Sequence, residues 1–249
     1  WALAIAGFLL PLLLLLTMAI EYSTEEQLSV LFDTGMNSIT LSLYAATITL
    51  FIALIFGLYK RYGNKGLSSA LPQKLSGLGY AIPGTVLAMA MMATFSPIDH
   101  WINDIAKSFD WARPGLILSG TIFAIVFAFV VRFAAIANGT IESGLQQIPT
   151  TLDKAAASLG VSRWKTLWQV HRPLLKSSIF VAWLLVFVEA MKELPAVLLL
   201  RPFNYETLST QVYQLISDEM LEQGALGAIL IVLFGLLPII WLNREKVSS

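Results

Sequence analysis

Glu189, Lys192 and Glu193 are three ionisable residues within an otherwise apolar run from about Ser178 to Leu200. Charges placed in this way do one of two jobs. They line a polar, gated stretch of a translocation path, or they form a buried ion pair that fixes packing between helices. Lys192 follows Glu189 by three residues and adjoins Glu193, so pairing with Glu189 is within reach. Left unpaired at membrane depth, each charge costs about 2.5–3.5 kcal/mol on insertion scales. Two carboxylates also suggest a metal site, but Lys192 repels a cation, and tight ligation in a path slows release. Pro195 lacks a backbone donor and is expected to kink the helix just beyond the charges. Elsewhere the chemistry is sparse. There is no cysteine, and the only histidines are His100 and His171. No His/Glu cluster has metal-ligand spacing, and no phosphate-cradling P-loop pattern occurs. The residues therefore predict no cofactor and no metal in this chain, and no ATP hydrolysis by it. A net charge of +0 argues against a nucleic-acid partner.

The elements that must position these charges are membrane helices. Of 249 residues, 57% are hydrophobic and 13% charged, and the mean hydropathy is +0.73. The surface of a soluble domain needs more charge than that. The apolar residues fall in six blocks of roughly bilayer-spanning length: Trp1–Ile20, about Asn37–Tyr59, Leu78–Phe95, Gly115–Val131, Ser178–Leu200 and Gly224–Leu242. The fold class predicted is all-α, an integral membrane bundle of six transmembrane helices. Of the 16 Lys and Arg residues, twelve lie after the second and fourth blocks or at the C-terminus. By the positive-inside rule both ends are then cytoplasmic, and the loops 21–36, 96–114 and 201–223 face outward. Within those outer loops, 98–109 and 207–221 have the spacing of short amphipathic helices. They lie on the membrane surface or cap the bundle. Pro83-Gly84, in the third block, either kinks a helix and shapes a cavity or lets helices pack closely. The chain starts at Trp1 inside an apolar block, which predicts a cut from a longer polypeptide.

The segment from Ile148 to Leu175 is the most informative loop. Thr150 and Asp153 have capping-box spacing, so a helix is predicted to start there. Lys154-Ala155-Ala156-Ala157 presents small side chains. Gly160 suits the left-handed end of a helix, and Ser162 can cap a second one. In that second helix Trp164, Leu167, Trp168 and His171 share a face, and Pro173 is predicted to end it. A helix–turn–helix of this kind, within a loop of about 133–176, docks a partner backbone or lies against the bilayer.

Lys154-Ala155-Ala156, three residues, Gly160, nine residues and Val170-His171-Arg172-Pro173 resemble the EAA loop of bacterial ABC importer permeases. Lys154 stands where that family has Glu, and Arg172 where it has Leu. Gly79-Tyr80-Ala81-Ile82-Pro83-Gly84-Thr85-Val86-Leu87-Ala88 and Met191-Lys192-Glu193-Leu194-Pro195-Ala196 are similar to ferric iron permeases. The chain looks like the C-terminal half of a two-half permease. The resemblance implies that Lys154, Ala155, Ala156, Gly160, Trp164, Trp168 and Pro173 form a loop that couples to cytoplasmic ATPase subunits. It also implies a second permease half, an extracytoplasmic binding protein and a bacterial plasma membrane. Similar permeases carry thiamine, phosphonate, sulfate or polyamines instead of iron. The rival readings are an ion-coupled secondary transporter or channel built on Glu189, Lys192 and Glu193, and a structural scaffold.

Overall fold

The computed structural model describes residues 1–63 and 67–247. Lys65 and the side chains of Arg244 and Lys246, counted above among the basic residues, lie outside what is described. Among the described residues every regular element is helical. The order is α1 (Ala2–Ala4), a π-turn (Ile5–Leu9), α2 (Leu10–Tyr22), α3 (Glu25–Tyr62), α4 (Leu67–Ala81), α5 (Gly84–Ser108), α6 (Ile122–Gln146), α7 (Thr150–Ser158), α8 (Arg163–Thr166), a second π-turn (Leu167–His171), α9 (Arg172–Met191), α10 (Pro195–Leu200), α11 (Leu208–Ser217) and α12 (Leu221–Val247). Among the described residues, four stretches are long and apolar enough to cross a bilayer: Ile5–Tyr22, α3, α6 and Arg163–Met191. Lys74–Ala81 and Gly84–Ser108 make a fifth if that bent pair is one span. The last block appears as the shorter apolar stretch Leu221–Leu236 of α12.

Several boundaries differ from the sequence reading, each for a physical reason. The third block is no single helix: α4 and α5 meet at a bend of 109°. Pro83 has no N–H and disfavours helical geometry at Ile82, so the helix stops there. Segment 98–109 is not a separate amphipathic helix but the end of α5. The loop 21–36 is mostly helical, because Thr24 and Gln27 cap each other's backbone N–H and start α3 at Glu25. Arg132 does not end the fourth block; α6 starts at Ile122 and continues past it to Gln146. Much of the 133–176 loop is therefore helix continuous with α6 or α9.

Prolines behave in a consistent way. Pro11 and Pro173 each sit two residues after the end of a π-turn. The wider turn bonds i to i+5, which re-routes carbonyls that a proline leaves without a helical donor. Pro173 therefore does not end the second helix of the loop, and the helical stretch runs from Arg163 to Met191. The fifth block breaks instead at residues 192–194, and Pro195 starts α10 in its first turn, where a missing N–H costs nothing.

The chain divides into two compact units. One comprises residues 1–43, 84–128 and 188–249. In it α12 packs on α2 and α11, with Ala19, Ala225 and Ile229 buried together. Phe95 packs against Phe123 and Phe127. The other unit comprises residues 44–83 and 129–187. Its core includes Phe129, Phe133, Ile141 and Leu175, all nearly inaccessible. Small residues set its spacing. A Cβ on Gly144 would strike the Ser178 side chain, and one on Gly79 would overlap the Val131 carbonyl oxygen. Only glycine allows those approaches.

Candidate functional site

The candidate site lies within the second unit, where α7 meets the end of α3. α7 starts with Pro149 as its N-cap, with no side-chain cap. The capping box predicted for Thr150 and Asp153 is not formed, because Asp153 has other partners. Its Oδ2 accepts from Arg61 Nε at 2.8 Å and pairs with a terminal guanidinium nitrogen of Arg61 at 2.7 Å. Its Oδ1 lies 2.7 Å from His171 Nε2 and accepts from the Tyr62 hydroxyl at 3.2 Å. Arg61 also donates to the carbonyls of Leu145 and Ile148, at 2.6 and 3.0 Å. These satisfy the end of α6 and the linker into α7. One carboxylate and one guanidinium thus join four segments. Burial alone would raise the Asp153 carboxyl, but hydrogen bonds from His171 and Arg61, with their charge, hold it below the usual carboxylate range.

His171 is fully buried, and its Nδ1 has no hydrogen-bond partner among the described residues. Its contact with Asp153 therefore places a proton on Nε2. The Tyr62 ring meets the imidazole edge-on at 5.8 Å. The π-turn delivers His171 inward while Trp164 and Trp168 stay exposed, so the predicted common face is not kept.

The far end of α7 is built as predicted. Val161 N–H bonds to Ala156 O and Gly160 N–H to Ala157 O, at 2.9 and 3.0 Å. Gly160 has φ +71°. This is the left-handed termination that favours glycine. Ser162 then caps α8 by accepting from Lys165 N–H. Lys154 and Ala155 are exposed and Ala156 is half-buried. Arg163 lies over the Tyr62 ring and Arg172 over Trp168, at 5.8 and 4.8 Å. A cavity of about 200 Å³ opens between these elements, lined by Tyr62, Asp153, Lys154, Ala157, Val161, Arg163 and Thr166.

The remaining candidate residues lie elsewhere. Glu189 and Lys192 pair at 2.7 Å, with Lys192 about half exposed. Glu193 is buried, and its backbone carbonyl accepts from Ser209 at 3.0 Å. Pro83 and Gly84 form the break between α4 and α5, where Arg132 donates to Ile82 O at 2.8 Å. Sequence reasoning did not find Arg61, Tyr62 or Arg132 as site residues. Arg61 read only as a basic stop to an apolar block, and its partner Asp153 is 92 residues away.

The model of a family described as the binding-protein-dependent transport system inner membrane component matches residues 53–244. The chain belongs to that family. It is an ABC importer permease related to ferric permeases, and hence a multi-pass transport subunit. A ferric iron transport permease of Haemophilus influenzae is 29% identical over 171 residues, covering 69% of this permease and 31% of its own length. The chain thus spans about a third of that relative. A probable sulfate transport permease of Marchantia polymorpha is 25% identical, covering 90% of this permease and 80% of its own length. In fold, the permease matches a chain of a bacterial alginate ABC transporter solved with its periplasmic protein. The TM-score is 0.71 at 15% identity, covering 96% and 88% of the two chains. A chain of a methionine ABC transporter matches at 0.61, covering 89% and 99%.

Proposed function

We propose that this permease is the membrane subunit of an ATP-driven importer in a bacterial plasma membrane. In this reading it crosses six times, with both ends cytoplasmic. It moves ferric iron handed over by an extracytoplasmic binding protein. ATP is hydrolysed on separate cytoplasmic subunits, and a second permease half, fused or separate, completes the path. The observation that carries the reading is the mounting of the 150–171 helix pair. Through Asp153, α7 is joined to Arg61 of α3 and to His171 at the head of α9. An ATPase groove gripping Ala155, Ala156, Gly160 and Trp164 would therefore move membrane helices and not a loose loop. Swinging a path from 1:99 to 99:1 needs about 5.5 kcal/mol of differential interaction, which a rigid mount can transmit. Glu189, Lys192 and Glu193, next to the helix break at Pro195, serve as the gated polar stretch of that path.

The alginate transporter, solved with its periplasmic protein, supports the binding-protein partner by analogy. Ferric relatives support iron. Sulfate is the second reading, because the sulfate relative aligns over most of both chains. Uptake by proteoliposomes holding the full transporter, given ferric iron, sulfate or 2-aminoethylphosphonate with the cognate binding protein, decides between them. Sulfate uptake without iron uptake overturns the iron assignment.

Coupling is tested at Gly160. A Cβ there meets no neighbour, so Gly160→Val strains only the backbone, by about 1–2 kcal/mol. Gly160→Val and Ala156→Trp are expected to leave the permease inserted while weakening ATPase co-purification and abolishing uptake. Normal stimulated ATPase activity and normal uptake in both variants would remove the coupling role.

A further inference from the structure

The helix pair is strongly one-signed. Between Pro149 and Lys176 stand five cations, Lys154, Arg163, Lys165, Arg172 and Lys176, and one carboxylate, Asp153. That carboxylate is occupied by Arg61, His171 and Tyr62. All five cations are exposed, and none forms an ion pair among the described residues. Two of them, Lys154 and Arg163, line the cavity of about 200 Å³ beside the α7–α8 turn. Leu159 and Trp164, 80% and 68% exposed, flank that turn.

We propose that this cavity and its rim receive an acidic partner groove: a Glu or Asp side chain of the ATPase subunit seats against Lys154 and Arg163, with Leu159 and Trp164 entering an apolar part of the same groove. Opposite charge alone would steer the two surfaces together. The concave cavity and the two flanking apolar side chains add shape to that attraction. An anionic lipid surface would also attract these cations, but it needs only a diffuse basic patch and no cavity. The Arg172–Trp168 pair at the head of α9 suits a headgroup layer better, and it lies outside the cavity lining. The proposal rests on the coupling reading above and specifies the chemistry of the surface that the loop meets.

The test measures affinity of the detergent-solubilised permease for the purified ATPase subunit of the same transporter. Lys154→Glu/Arg163→Glu is expected to weaken binding at least tenfold, and Lys154→Gln/Arg163→Gln by less. Wild-type affinity should fall between about 50 mM and about 500 mM salt, whereas that of the reversed variant should not. Reversing a groove carboxylate of the ATPase to Lys should restore binding to the reversed permease. Both side chains are exposed, and the neutral variant controls for misfolding. Unchanged affinity and unchanged salt dependence in both variants overturn the proposal. So does unchanged ATPase affinity with lost activation by phosphatidylglycerol vesicles, which gives the face to the membrane. Gly160→Val separates the two claims. If it weakens binding while charge reversal does not, only the acidic groove is wrong. If neither acts, the coupling reading falls as well.

Discussion

Asp153 and Glu189 each hold a cation at 2.7 Å, yet they do different work. Asp153 binds residues 92 and 18 positions away and is met by a second donor on each oxygen. Glu189 meets Lys192 three residues on, with the Lys half exposed. The first interaction ties segments together. The second is a local pair at the end of a helix, and breaking it leaves each partner partly exposed. Connectivity, not distance, separates a structural hub from a local pair.

The largest effect is expected from Asp153→Asn. The Arg61 side chain is 9% exposed and would lose its counter-charge. The loss should be on the order of 3 kcal/mol, with uptake reduced tenfold or more. Thermal unfolding in detergent, beside uptake in proteoliposomes, measures both. A cost below about 0.5 kcal/mol would put the hub on a level with a surface pair.

Acid sharpens the same contrast. The Asp153 carboxyl is lowered in the folded state, so its contribution is fully present above the ordinary carboxylate pKa of about 3.9. It is lost as pH falls through the lowered native value. The stability gap between wild type and Asp153→Asn should therefore shrink below about pH 4, as Asp153 takes up its proton. A gap that widens below that pH would contradict the assigned direction.

Lys192→Met should change stability least, by about 0.5 kcal/mol or less, while impairing uptake more than assembly. Lost expression in Lys192→Met, together with normal uptake in the Glu189→Gln/Lys192→Met/Glu193→Gln triple variant, would assign these charges to packing instead of to a gate.

What the sequence made legible was local. Apolar length located the helices, and Gly160 and Ser162 marked the turn between α7 and α8, because caps are written within four residues. The Asp153 hub was not legible for the converse reason. Its spacing to Thr150 fits a cap, and nothing near it names Arg61. The prolines read unevenly. Pro83 breaks its block, as the kink reading of Pro83-Gly84 expected. Pro173 does not stop its helix, because the rule that proline ends a helix assumes α geometry on both sides.

The π-turn at Leu167–His171 has one more consequence, for how the segment can be compared with others. It holds one more residue in its turn than an α-helix would, and each residue of an α-helix advances about 100°. α8 and α9 share a continuous helical stretch but keep different rotational phases. A periodicity laid down on α9 and extended backwards therefore arrives at Trp164 about a quarter-turn out. Deleting one residue between 167 and 171 would bring the two helices into phase. It would do so within the Arg163–Met191 stretch, giving α8 and α9 one uninterrupted periodicity.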